Sequence, residues 1–170
     1  DKVNSGTPGL VSYHPIASNN SSNDAEVPSL NAALSTSSTL IYCTDCHSGE
    51  TSAAAGGTGP NGPHGSNIPA MLAQNYGFAS YVTYSIASYE VCFKCHDEAT
   101  LMTDPSGFSH GRHLTGRDAA CINCHDPHGS QSFPHLINFL TNIGGAANIT
   151  AISPNPTPIW TDNGTYSGSC

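Results

Sequence analysis

Apolar positions along this chain are scattered more than they are periodic. Residues 1–40 set single apolar residues among Ser, Asn and Thr, with neither a helical nor a strand repeat, and read as irregular. A short apolar run from Ile68 to Gln74, with Pro69 early in it, reads as a short helix. Tyr76 to Tyr89 mixes aromatic and β-branched residues with Ser and Ala. Both strand and helix have support there, and the reading taken is a helix running into the residues that follow. Residues 92–130 are too densely occupied by Cys and His to carry much regular structure. The stretch from Asn148 to Cys170 holds Pro154, Pro156 and Pro158, then Trp160 and Asn163-Gly164. It reads as extended segments and a turn, with Trp160 in ordinary packing. The chain therefore divides into an irregular segment (1–40), a central region (41–145) and an extended tail (146–170). The expected fold class is mostly irregular coil with a few short helices and little strand.

Composition narrows the function. Only 9% of the 170 residues are charged, against ~25% in an ordinary soluble domain. Ser, Thr and Asn take up the difference, with 51 residues. Four basic residues against twelve acidic ones give a net charge of −8, the wrong sign for holding nucleic acid or anionic lipid. No apolar run approaches a membrane span, and no signal segment opens the chain at Asp1, so a leader, if there was one, has been removed.

Seven cysteines and nine histidines change the picture. Six of the cysteines form three copies of one pattern: Cys43-Thr-Asp-Cys46-His47, Cys92-Phe-Lys-Cys95-His96 and Cys121-Ile-Asn-Cys124-His125. C-x-x-C-H is the pattern of c-type haem attachment. Two thiols three positions apart each form a thioether to the porphyrin, and the adjacent histidine supplies the proximal nitrogen to iron. Zinc is the first competing reading, but a structural zinc site takes four ligands, usually as two spaced pairs. A redox dithiol is the second; it uses one C-x-x-C within alternating strands and helices, which this chain lacks. The expectation is three haems c, which themselves form the core.

Six further histidines are candidates for the second axial position: His14, His64, His110, His113, His128 and His135. An internal repeat helps to choose. The third motif runs on through Asp126-Pro127-His128-Gly129-Ser130 to Pro134-His135-Leu136-Ile137. The first runs on, after an insertion over 48–62, through Pro63-His64-Gly65-Ser66 to Pro69-Ala70-Met71-Leu72. His64 and His128 are thus equivalent positions and both are candidate distal ligands, whereas His135 has only Ala70 as its counterpart. His110 and His113 lie three apart, on one face of a helical turn, where they reach two haems or divide between ligation and a propionate contact. His14 is either a ligand or an exposed loop histidine. Met71 matches Leu136 in the repeat, and histidines are in surplus over Met71 and Met102, so bis-histidine haems are expected.

On these strings the chain resembles the multihaem c-type cytochromes. The residues that carry the resemblance are Cys121–Ser130, Cys92–Asp97 and the Phe108…His110-x-x-His113 element, and the match extends from about His14 to Ile137. It implies an exported protein, extracellular or on the cell surface (alternatively periplasmic), that transfers electrons and is not an enzyme. Some members polymerise into extracellular cytochrome filaments. The low charge, the Ser/Thr/Asn-rich segments and a spare N-terminal histidine suit that subgroup, in which His14 would ligate a haem of a neighbouring copy. The partners implied are further copies of the chain, other cytochromes or extracellular electron acceptors. A discrete soluble carrier is the alternative, and a multihaem reductase a more distant one. Tyr166-Ser-Gly-Ser-Cys170 is similar to the approach Tyr89-Glu90-Val91-Cys92. Cys170 therefore reads as the start of an interrupted fourth haem motif, or else as a terminal thiol.

Overall fold

The computed structural model describes residues 12–14, 29–32, 34, 40–103, 108–139, 149, 154, 156–162 and 168–169. Within these, regular structure is sparse, as the scattered apolar pattern requires. Five short helices occur: α1 Cys43–Cys46, α2 Glu90–Phe93, α3 Glu98–Met102, α4 His110–Arg117 and α5 Cys121–Cys124. Two two-residue strands, β1 Thr161–Asp162 and β2 Gly168–Ser169, pair antiparallel with Thr161 opposite Ser169. They fit the expected extended tail, while the Asn163-Gly164 turn and Cys170 lie outside the described residues. No helix among the described residues is long and apolar enough to cross a membrane.

Three of the helices start for a local reason. Asp45 and Asn123 occupy the third position of α1 and α5, and their side chains accept the backbone N–H of the residue before the helix, Tyr42 at 2.7 Å and Ala120 at 2.7 Å. This is the returning half of a capping box. Asp97 caps α3 by accepting from Thr100 N at 2.8 Å. Helix α4 ends where Asp118 turns left-handed, at φ 50°.

Two helical expectations are not met. Residues 68–74 form a single 3-10 turn, Pro69–Met71, in which Ala70 and Met71 have φ of 59° and 54°. Residues 76–89 are extended and looped up to a 3-10 turn at Ile86–Ser88. Long-range backbone bonds hold that stretch: Gly77 N to Ser88 O at 2.8 Å and Val82 N to Asp118 O at 2.9 Å. Its aromatic and β-branched residues are poor helix formers, and tertiary packing uses them instead.

The core consists of Leu72, Tyr76, Tyr89, Leu114, Ala120 and Ile122, with Cys46, Cys92 and Cys121 packed against it. Burying each large side chain contributes ~1.5–3 kcal/mol. Tyr76 and Tyr89 meet edge to face at 5.5 Å, and Tyr76 Oη accepts from Ile122 N at 2.9 Å. The core therefore sits between the three motif helices and ties them together.

Candidate functional site

The three C-x-x-C-H motifs share one backbone geometry. In each, the histidine N–H donates to the carbonyl of the first cysteine: His47 to Cys43 at 2.8 Å, His96 to Cys92 at 3.0 Å and His125 to Cys121 at 2.9 Å. Each histidine then pairs across an isolated β-bridge, with Leu72, Leu30 and Ile137 respectively. The second cysteine's carbonyl accepts from the next residue of the bridging segment: Ala73 N to Cys46 O at 2.8 Å, Asn31 N to Cys95 O at 2.9 Å, Asn138 N to Cys124 O at 2.7 Å.

The internal repeat is borne out in detail. His47 Nδ1 donates to Ala70 O at 2.8 Å, and His125 Nδ1 donates to His135 O at 2.8 Å. Ser66 Oγ donates to Leu72 O at 2.7 Å, and Ser130 Oγ to Ile137 O at 2.5 Å. The equivalent residues Ala70 and Met71, and His135 and Leu136, all have φ between 54° and 59°. Four non-glycine residues in the left-handed region mark a strained turn that is kept in both copies. The turn presents its carbonyl to the histidine ring.

For the second motif, the latch comes from upstream. Ser29 Oγ lies 3.2 Å from His96 Nδ1, and Asp97 N donates to Ser29 O at 2.5 Å. Sequence reasoning passed over Ser29, Leu30 and Asn31. Pro28-Ser29-Leu30 is like Pro69-Ala70-Met71 and Pro134-His135-Leu136 in sequence, but its bridging residue Leu30 comes two positions after the proline where Leu72 and Ile137 come three after theirs, so the string gave no register.

A carbonyl can only accept, so Nδ1 of His47 and of His125 carries a proton and Nε2 is the nitrogen left to bind. Burial, followed by the charge of His110, lowers the pKa of His125 to about 4. Burial, followed by the charge of His14, does the same for His96. Both are neutral imidazoles at neutral pH, the form that binds metal.

The other histidines fall into place around them. The rings of His47 and His128 have centroids 6.1 Å apart and planes inclined by 6°. Those of His110 and His125 are 6.4 Å apart and inclined by 16°. With metal–nitrogen bonds of ~2.0 Å, and ~1.1 Å from nitrogen to ring centre, two imidazoles on opposite sides of one ion would have centroids ~6.2 Å apart. No family model, curated protein or solved structure matches the chain. The site is therefore read from its own chemistry.

His14 Nδ1 donates to Pro127 O at 2.9 Å, and His14 is the residue whose charge acts on His96. The antiparallel bridge between Ser12 and Ser130 delivers it there. This ties His14 to the segment that follows the third motif. His113 donates Nδ1 to Ser109 O at 2.7 Å and stacks on Phe108 at 4.8 Å. His64 is exposed, with its ring against Gly62. Among the described residues, neither His113 nor His64 faces a motif ring. His135 and Phe108 both pack on Trp160.

The cysteines of successive motifs are neighbours. The Cys92 and Cys121 thiols are within hydrogen-bonding reach, and Cys46 and Cys95 are close enough for their charges to interact. None of the six motif cysteines is in a disulfide. Among the described residues, His, Cys, Asp and Glu do not gather in threes or more as a bare-ion site. The imidazoles come as two near-parallel pairs, each including the histidine of a C-x-x-C-H motif. Such a set fits an ion whose four remaining positions belong to a planar macrocycle that the cysteines hold.

Proposed function

We propose that this chain is an electron-transfer protein carrying three covalently attached haems c, each held between two histidines. The observation that supports it most is the ring geometry of His47 with His128 and of His125 with His110. Haem c, when bound, supplies a one-electron ferric/ferrous couple. The chain supplies the rest. Cys43 and Cys46, Cys92 and Cys95, and Cys121 and Cys124 form the thioethers; His47, His96 and His125 are the proximal ligands; His128, His14 and His110 are the distal ones. Carbonyl anchoring of Nδ1 orients His47, His125 and His14 and strengthens them as donors. Histidines on both faces deny small molecules the iron, which separates this reading from a reductase. The adjacency of Cys46 with Cys95, and of Cys92 with Cys121, supports closely spaced centres.

Intact mass of the exported protein tests this directly. A mass excess of three haems is expected, together with low-spin spectra unchanged by carbon monoxide after reduction. An unmodified mass would end the haem reading, and a carbon monoxide shift would favour the enzyme.

Assembly of copies into an extracellular filament is the second reading. The spare histidines His64 and His113 and the sparse surface charge favour it. A surface poor in charge leaves few ions to desolvate when copies pack. A fourth haem at Cys170 would add a centre for one of those histidines.

A further inference from the structure

One tetrapeptide carries a member of both stacked histidine pairs and braces a further histidine. His125 lies against His110, His128 lies against His47, and the carbonyl of Pro127 accepts from His14. Between them lies Asp126, only 1% exposed. Its Oδ1 accepts the backbone N–H of His128 at 3.0 Å and lies 3.7 Å from His128 Nδ1. Its Oδ2 accepts from Asn138 Nδ2 at 3.4 Å. Its own backbone is fixed as well, by Asp126 N to Leu136 O at 2.8 Å and Gly129 N to Asp126 O at 3.0 Å.

The two equivalent positions differ. After the first motif stands Ser48, equally buried but neutral, with its Oγ accepting from Gly62 N at 3.1 Å. After the second stands Asp97, exposed and occupied as the cap of α3. A buried carboxylate beside an axial histidine thus occurs only after the third motif.

We propose that Asp126 is a positioning residue that sets the reduction potential of the centre held by His47 and His128. The assignment rests on the haem reading above. At 3.7 Å the contact with Nδ1 is electrostatic and not a direct hydrogen bond. The bond from His128 N holds the carboxylate at that ring. A negative charge out of water, on the far nitrogen of an axial ligand, strengthens the ligand and favours the ferric state. Asp126 therefore holds the potential of this centre down. Because the same loop carries His125 and braces His14, it also fixes the three centres relative to one another.

The test uses the full haem-loaded chain. Asp126→Asn keeps an acceptor for the His128 N–H and removes the charge. Three haems and low-spin signals should remain, with one midpoint raised in a potentiometric titration. The raised midpoint should belong to the low-spin signal that His128→Ala abolishes in electron paramagnetic resonance. Midpoints that superimpose on those of the wild type, or a raised midpoint at a different centre, overturn the proposal. Should Asp126→Asn fail to retain three haems, Asn138→Ala carries the test. It removes the donor to Oδ2, leaves the negative charge of the carboxylate less offset and should lower the same midpoint; no change there overturns the proposal. The haem count of the wild-type chain judges the underlying haem reading separately.

Discussion

A histidine can bind metal when one ring nitrogen carries the proton and the other keeps its lone pair. At His47 and His125 a backbone carbonyl enforces that state, whereas at His96 the Ser29 hydroxyl orients the ring and can donate or accept. The five-residue motifs were legible in sequence because their chemistry is local. Which ring lies against each motif histidine was not legible, since such a neighbour comes from elsewhere in the chain. His64 and His128 are equivalent in sequence, yet only His128 lies opposite a motif ring. His128→Ala should therefore open one of the three irons, with carbon monoxide binding to about a third of the haem in the reduced protein. His64→Ala should leave the spectrum of the isolated chain unchanged. Carbon monoxide binding in the His64 variant and not in the His128 variant would reverse the assignment.

At the scale of elements, the recurring unit is a motif helix, a histidine and a bridging segment that latches across both. Pro-x-[ML] strings mark the latches, but nothing local in Ile68–Gln74 announces a left-handed turn. Helix was the reasonable local reading. The turn is set by the need to bring the Ala70 carbonyl to the His47 ring, a contact across 23 residues. Ser130 secures the third latch: its hydroxyl donates to Ile137 O and accepts from Ser132 N at 3.2 Å and Phe133 N at 3.1 Å. Ser130→Ala removes the partner of the buried Ile137 carbonyl and of two less buried N–H groups, and should cost ~1–3 kcal/mol in denaturant unfolding. Ser66→Ala, at the half-buried equivalent position, should cost less.

The aromatic segment between the latches makes its own prediction. Burial, then the hydrogen bond to Glu98 and that residue's charge, hold the Tyr84 phenol well above the ordinary phenol range. Burial, then the neighbouring Cys121 and Cys92, do the same for Tyr76 and Tyr89. In the unfolded chain these phenols ionise near pH ~10. Above that pH the unfolded state binds fewer protons than the folded one, so stability falls as pH rises. An ultraviolet tyrosine titration should show three phenols lagging. Glu98→Gln should bring Tyr84 back toward the ordinary range; an unchanged titration would refute the Glu98 contribution.

For the whole molecule, the deficit of charge is the property with the widest reach. With 9% charged residues and a net charge of −8, the chain cannot be held together by a network of ion pairs. Its described core is small and gathered against motif cysteines, as expected of a peptide wrapped around cofactors that act as staples. On the haem reading, removal of the iron should therefore unfold the chain, with loss of tertiary circular dichroism. Negative-stain images separate the two modes of assembly. Filaments are the expected form, and monodisperse particles at high concentration would leave the discrete carrier.

The sequence by itself determined the three attachment motifs, the repeat that relates the first to the third, the scarcity of regular structure and the surplus of histidine. All of these are properties of neighbours along the chain or of composition. Only the tertiary structure decided which histidine faces which motif, that Ser29–Asn31 latches the second motif and that Asp126 lies buried beside His128. Those contacts join residues such as His47 and His128, or Ser29 and His96, that are brought together by backbone bridges and by burial of a shared core. Neither cause leaves a periodic trace in the chain.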